Sequence, residues 1–214
     1  MSDVQDGDVR GTGMTSGRLE AFTDGVVAII ITIMVLELKV PENGTLTALA
    51  QTAPILIAYV LSFINVGLYW NNHHHLMHAA GRIDGRVLWA NLFLLFWLSL
   101  VPFVIRWLDE SAFSAMATAA YGVVLGMAAI GYMLTERAIV VCNGTNSTLA
   151  RALGRDAKGK ISLVLYAIAI PAAFFARPLS LAIYIVVLGV WWRPDRRIER
   201  LLEGGRAESS AGGH

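Results

Sequence analysis

At 214 residues, with 56% hydrophobic and only 15% charged content and a positive mean hydropathy, the chain is too apolar for a soluble domain of its size and falls in the membrane class. A formal net charge of +1 provides no basic surface for a nucleic acid. The single cysteine, Cys142, excludes an intrachain disulfide and a cysteine-based zinc site, and its expected place is that of a small buried apolar residue.

Residues 1 to 16 are rich in Gly, Asp, Ser and Thr with little that is apolar, so a disordered N-terminal tail is expected. No cleavable signal peptide is visible there. The first span follows, RLEAFTDGVVAIIITIMVLELKVP over residues 18 to 41, with an apolar run of about 20 residues, roughly the thickness of a hydrocarbon core. Asp24 and Glu37 mark its ends. On a helix, Ile29, Ile33 and Leu36 fall at i, i+4 and i+7 and form one stripe, with Thr32 on the turn between. Such a stripe is suited to lining a narrow, oily passage.

After the turn at Pro41 to Gly44, a second apolar span is expected over residues 48 to 71, with Pro54 near its start, where a helix tolerates proline. A polar loop is expected from His73 to Arg86. The third span, residues 87 to 107, carries Trp89, Trp97 and Trp107, the outer two suited to the interfacial belt. The fourth, residues 112 to 135, is rich in Ala and Gly, which predicts close packing against protein. Arg151, Arg155, Lys158 and Lys160 make a basic connector. Two short spans are then expected at residues 161 to 176 and 179 to 192, with a re-entrant hairpin as the rival reading of that pair. The tail RPDRRIERLLEGGR reads as an amphipathic basic helix on the membrane surface.

With six crossings and both ends on one side, only Lys39, Arg106 and Arg177 of the 17 basic residues lie opposite the rest. That asymmetry predicts cytoplasmic N and C termini in a multi-pass protein of the cell membrane. The expected domains are a tail over 1 to 16, a six-helix channel domain over 17 to 193 and a basic cytoplasmic tail over 194 to 214.

Arginine, three residues, then Phe22-Thr23-Asp24 and an Ile/Leu-rich run resembles the R-x-x-x-F-S-D signature of the transmembrane protein 175 potassium channels. Thr23 replaces the usual serine and keeps its hydroxyl. The resemblance extends to His73 and His74, to the run Leu88 to Leu92 and to Val101-Pro102-Phe103, with Ala90 where an apolar leucine is expected. It implies an all-α membrane protein of six transmembrane helices per subunit, with the first helix lining a central pore in a homotetramer. It further implies Ile29, Ile33 and Leu36 as pore layers and Thr32 as a hydroxyl that steadies a partly dehydrated ion.

No TVGYG-type carbonyl filter is present, since Tyr121-Gly122-Val123 stands without the rest. The expectation is a modestly potassium-selective cation channel with a hydrophobic constriction. Its partners are the bilayer, K+ and other monovalent cations, with no cofactor and no catalytic role. Asp24 near a span end needs a partner from another helix. Arg18, Phe22, Thr23 and Asp24 are therefore expected to form a gating or structural network with His73, His74 and Asn91.

Two other classes compete. A small secondary transporter would use intramembrane acids, but Asp24 and Glu37 lie at the ends of the first span rather than at its middle. A histidine-metal enzyme would use His74 and His78, which share a helix face at i, i+4. With five histidines in all, no second cluster and few carboxylates near, no metal site is expected, and interfacial hydrogen bonding is the better use of the run.

Overall fold

The structure, a computed structural model, describes residues 15–41, 43–144, 150 and 157–192. Among these every regular element is helical: α1 (Ser16–Leu36), α2 (Leu46–Gln51), α3 (Ala53–Ala79), α4 (Gly85–Ser99), α5 (Val101–Glu110), α6 (Ala115–Asn143), α7 (Ala157–Phe175) and α8 (Arg177–Trp191). The expected N-terminal tail up to residue 14, the basic connector at 151–156 and the C-terminal basic helix from residue 193 lie outside the described residues.

Caps and breakers account for the boundaries. Asp84 caps α4 by accepting from the amides of Arg86 and Val87 at 3.0 and 3.1 Å. Ser114 caps α6 through the amide of Ala117 at 3.3 Å, just after Ala112 and Phe113 turn the chain at φ of 48° and 56°. Pro54 and Pro102 sit in the first turns of α3 and α5, where a missing N–H costs nothing. The third span is therefore two helices, meeting at Leu100. The polar loop expected from His73 is instead the last two turns of α3, because histidine and asparagine do not break a helix and the first breaker is Gly81.

The expectation of six transmembrane helices is corrected. Five helical stretches among the described residues are long and apolar enough to cross a membrane: Ser16–Leu36, Ala53–Ala79, Gly85–Glu110, Ala115–Asn143 and Ala157–Phe175. The last helix, Arg177–Trp191, has 15 residues. At 1.5 Å per residue it is about 22 Å long, short of a hydrocarbon core of about 30 Å. It folds back along α7, where the Trp191 indole N–H donates to Ser162 Oγ at 2.8 Å.

The homotetramer is likewise withdrawn. The structure is of one chain, and subunit number is decided by contacts between chains, which one chain does not contain.

Helix α6 is the platform, packing along α4, α5 and α7. In its most apolar stretch 72% of residues are buried, against 22–44% in the other four spans, as its small residues predict. The closest approach to another helix's backbone is at Gly131, where a Cβ would stand 2.7 Å from Leu94 Cα on α4. Polar pairs tie the bundle internally: Ser62 with Tyr121 at 2.8 Å, and Tyr184 donating to the carbonyl of Thr118 at 3.1 Å. Each removes a polar group that lipid cannot satisfy.

Helix α1 lies across α3, α4 and α5. Its buried residues are Leu19, Thr23, Val27, Ile30 and Met34, spaced four, four, three and four apart, which is a single helical face.

Gly131→Val drives α4 and α6 apart and is expected to cost about 1–3 kcal/mol or abolish folding. Gly189→Ala, with open space around its Cβ position, is expected to be neutral. Thermal unfolding of the two purified variants followed by size-exclusion chromatography distinguishes them.

Candidate pore helix and its polar lock

The burial pattern of α1 leaves a continuous exposed face. Ile29 is 57% exposed, Ile33 41%, Leu36 79% and Phe22 53%, with Thr32 and Arg18 on the same side. The Thr32 hydroxyl donates to the carbonyl of Ile29 at 2.9 Å, leaving its oxygen lone pairs directed away from the helix. Large aliphatic side chains of this kind, turned away from their own chain, meet lipid, another chain or a passage.

The opposite face is fastened by hydrogen bonds. Thr23, Asn91 and His73 are all buried to 1% exposure or less. The Asn91 amide Nδ2 donates to Thr23 Oγ1 at 2.9 Å, and Asn91 Oδ1 accepts from His73 Nε2–H at 2.8 Å. One side chain of α4 thus joins α1 to α3. With its proton on Nε2, His73 keeps Nδ1 as a bare acceptor, and that atom has no partner among the described residues. An unpaired acceptor is better tolerated than an unpaired donor.

Beside this buried trio runs a half-exposed ladder between α1 and α3. Asp24 accepts from the Trp70 indole N–H at 2.8 Å. One turn earlier, Glu20 Oε1 stands 2.6 Å from His74 Nδ1 and 3.3 Å from His78 Nδ1. Two acids at i and i+4 on α1 face Trp70, His74 and His78 at i, i+4 and i+8 on α3, so the helices run antiparallel here. At the other end of α1, Glu37 pairs with Arg106 at 3.4 Å and Lys39 with Asp109 at 3.2 Å, both on α5.

Of the seven residues expected to form a network, Thr23, His73 and Asn91 meet directly, and Asp24 and His74 join through the adjacent ladder. Arg18 and Phe22 do not, since both lie on the exposed face. Trp70 and Glu20, which complete the ladder, escaped the sequence reading. Their signal was the i, i+4 spacing of Glu20 to Asp24 and of Trp70 to His74 to His78.

The profile of a family described as "Endosomal/lysosomal potassium channel TMEM175" matches residues 18–102. That segment holds the exposed stripe and every member of the lock. A protein named a potassium channel in Chryseobacterium sp. (strain P1-3) is 48% identical over 190 residues, covering 89% of this chain and 99% of that relative. The chain belongs to the TMEM175 family. A crystal structure of a lysosomal potassium-selective channel TMEM175 homolog from Chamaesiphon minutus superposes with a TM-score of 0.72 at 28% identity, covering 82% of this chain and 95% of that one. Membership places this TMEM175 protein among ion channels rather than enzymes.

The human relative, named an endosomal/lysosomal proton channel, is 40% identical over 75 residues, which are 29% of this chain and 15% of that protein. Other vertebrate relatives carry the same compartment in their names. The expected plasma-membrane location is therefore corrected to a membrane location, since TMEM175 proteins are not confined to the cell surface by their fold. The expectation of cytoplasmic termini falls on residues 1–14 and 193–214, which lie outside the described residues. Lys39, Arg106 and Arg177 gather where α1 ends, whereas Arg82 is bonded through its backbone to Asn143 at the far end of α6.

Removing the amide in Asn91→Ala strands the buried His73 N–H, with a penalty of about 1–3 kcal/mol for each buried group left unpaired. Thr23→Ser keeps the hydroxyl and is expected to stay within about 1 kcal/mol of the parent. Unfolding midpoints in one detergent, with Thr23→Val as the hydroxyl-free comparison, report both.

Proposed function

We propose that the chain is a potassium-conducting channel whose passage is walled by the exposed face of α1, with Ile29, Ile33 and Leu36 as successive constrictions and Thr32 as the one hydroxyl among them. The observation that carries this reading is the exposed stripe itself. Three large aliphatic residues and a threonine turn away from their own chain on a helix that is otherwise fastened to it. Aliphatic side chains offer a cation no ligand, so they discriminate by width and by the water an ion must shed. Potassium, which loses its shell more readily than sodium, is favoured to a modest degree. Relatives named as potassium channels support the same ion.

A closed ring of isoleucine is a dewetted barrier, and a hydroxyl just past it stabilises an ion that has lost part of its shell. Arg18 and Phe22 on the same face extend the surface toward the start of α1. Thr23, Asp24, His73, His74 and Asn91 have the role of holding that face in register.

The transporter alternative needs acids free to bind and release a coupling ion. Asp24, two turns into α1, and Glu37, at its C-terminal cap, are engaged by Trp70 and Arg106. That engagement favours the channel.

Placing a polar group in the first constriction by Ile29→Asn wets it. The expected result is faster potassium efflux from liposomes and a lower potassium-to-sodium ratio, by several-fold. The matched substitution on the buried face, Ile30→Asn, is expected to destabilise the protein rather than open it. Unchanged flux and ion ratio in Ile29→Asn would remove Ile29 from the passage.

A further inference from the structure

The ladder between α1 and α3 ends in three groups whose chemistry exceeds hydrogen bonding. Glu20, His74 and His78 each offer one ligand atom, and the three atoms all lie within 4.8 Å of one another. His74 and His78 lie one turn apart with ring centroids 4.2 Å apart and planes inclined at 48°, and Trp70 stacks on His74 at 6.0 Å. The carboxylate absent from the sequence reading of the histidine run is supplied by a different helix.

We propose that Glu20, His74 and His78 form a site for one divalent transition-metal ion of the zinc class, fastening α1 to α3. Two imidazole nitrogens and one carboxylate oxygen are the donor set that zinc and its neighbours prefer, whereas magnesium and calcium require oxygen. In a tetrahedron with metal–ligand distances near 2.0–2.1 Å the donor atoms stand about 3.3 Å apart. The Glu20 to His78 separation is already 3.3 Å, and the 2.6 Å between Glu20 and His74 has to widen by about 0.7 Å, within reach of side-chain rotation.

Both histidines present Nδ1 to Glu20. Metal binding requires the Nδ1 lone pair, so each proton moves to Nε2 or is released. The histidine side chains are 39% and 50% exposed and Glu20 only 16%, which leaves the outer coordination position to water and gives the ion a route in. Three protein ligands with an open fourth position are the arrangement of an exchangeable site rather than a closed structural one.

The site is independent of any ion passing through the protein, so its test is binding and not conduction. Zinc chloride titrated into the full chain in detergent, followed by calorimetry, is expected to show saturable uptake of one ion per chain and a rise in the unfolding midpoint. His74→Gln, His78→Gln and Glu20→Gln are each expected to weaken binding by roughly tenfold or more, since even outer-shell losses have that size. His75→Gln, which removes a histidine outside the cluster, is expected to change nothing. His78→Gln is the variant least exposed to folding defects, because its side chain is half in solvent. Zinc-edge X-ray absorption is expected to report two imidazoles. Absence of saturable uptake by the parent chain, or uptake that survives His78→Gln and Glu20→Gln unchanged, overturns the site.

Discussion

Asn91 holds two helices at once, and the orientation of α1 follows from it. A primary amide carries a donor and an acceptor on one planar group, so a single side chain on α4 can give a hydrogen to Thr23 on α1 while taking one from His73 on α3. In an apolar interior none of these groups has water as an alternative, so the three must find each other or remain unpaired. Fixing Thr23 inward fixes everything else on the helix. At 3.6 residues per turn, Thr32 lies about 180° round from Thr23, with Ile29, Ile33 and Leu36 within about 100° of Thr32. The oily stripe faces outward because the hydroxyl faces inward.

The amide is in turn only as well placed as α4, and α4 is seated by what α6 lacks. Gly131 lets the backbone of α6 come against Leu94, one turn from Asn91, at a distance that any Cβ would prevent. Gly122 does the same for Tyr184, whose ring lies where a Cβ would be, and Tyr184 bonds back to Thr118 on α6. Without a hydrophobic drive between helices in lipid, close backbone approach and a few interhelical hydrogen bonds are what remain to hold a bundle, and α6 uses both. The dependence runs from small residues on α6, through the position of α4, to the face that α1 displays.

Much of this was legible before any coordinates, for reasons that differ by residue. The stripe of Ile29, Ile33 and Leu36 is a spacing, and spacing survives whatever the rest of the chain does. A network of Thr23 with His73 and Asn91 was expected because the neighbouring Asp24 needs a partner near the same boundary; Asp24 itself takes Trp70, and Asn91 goes to Thr23. Helix ends were read less well where polarity was taken for a loop: His73 to His78 are polar yet helical, and their place on α3 brings them to Glu20. The last span failed on length, since 15 residues of apolar sequence satisfy a hydropathy pattern without the reach of a bilayer. Subunit number left no signature, because it resides in faces that touch only other chains.

The ties at the two ends of α1 bear on how a passage along it opens. Its start is bonded to α3 through Asp24 and Glu20, its buried face to α4 through Thr23, and its end to α5 through Glu37 and Lys39. The end pairs are partly exposed and individually weak, so they yield to a modest rearrangement. The buried trio does not, because turning Thr23 away leaves the Asn91 amide hydrogen without its acceptor in an apolar interior, at a cost of about 1–3 kcal/mol. On the proposed reading, a widening that rotates α1 alone pays that penalty. One that carries α1, α3 and α4 together keeps the trio intact and loosens the α5 pairs, but it also shears α4 against α6 at Gly131 and parts the Ser62–Tyr121 bond. Either motion meets buried contacts, the trio in the first case and the α6 seam in the second, so the partly exposed pairs between α1 and α5 are the ties that yield first.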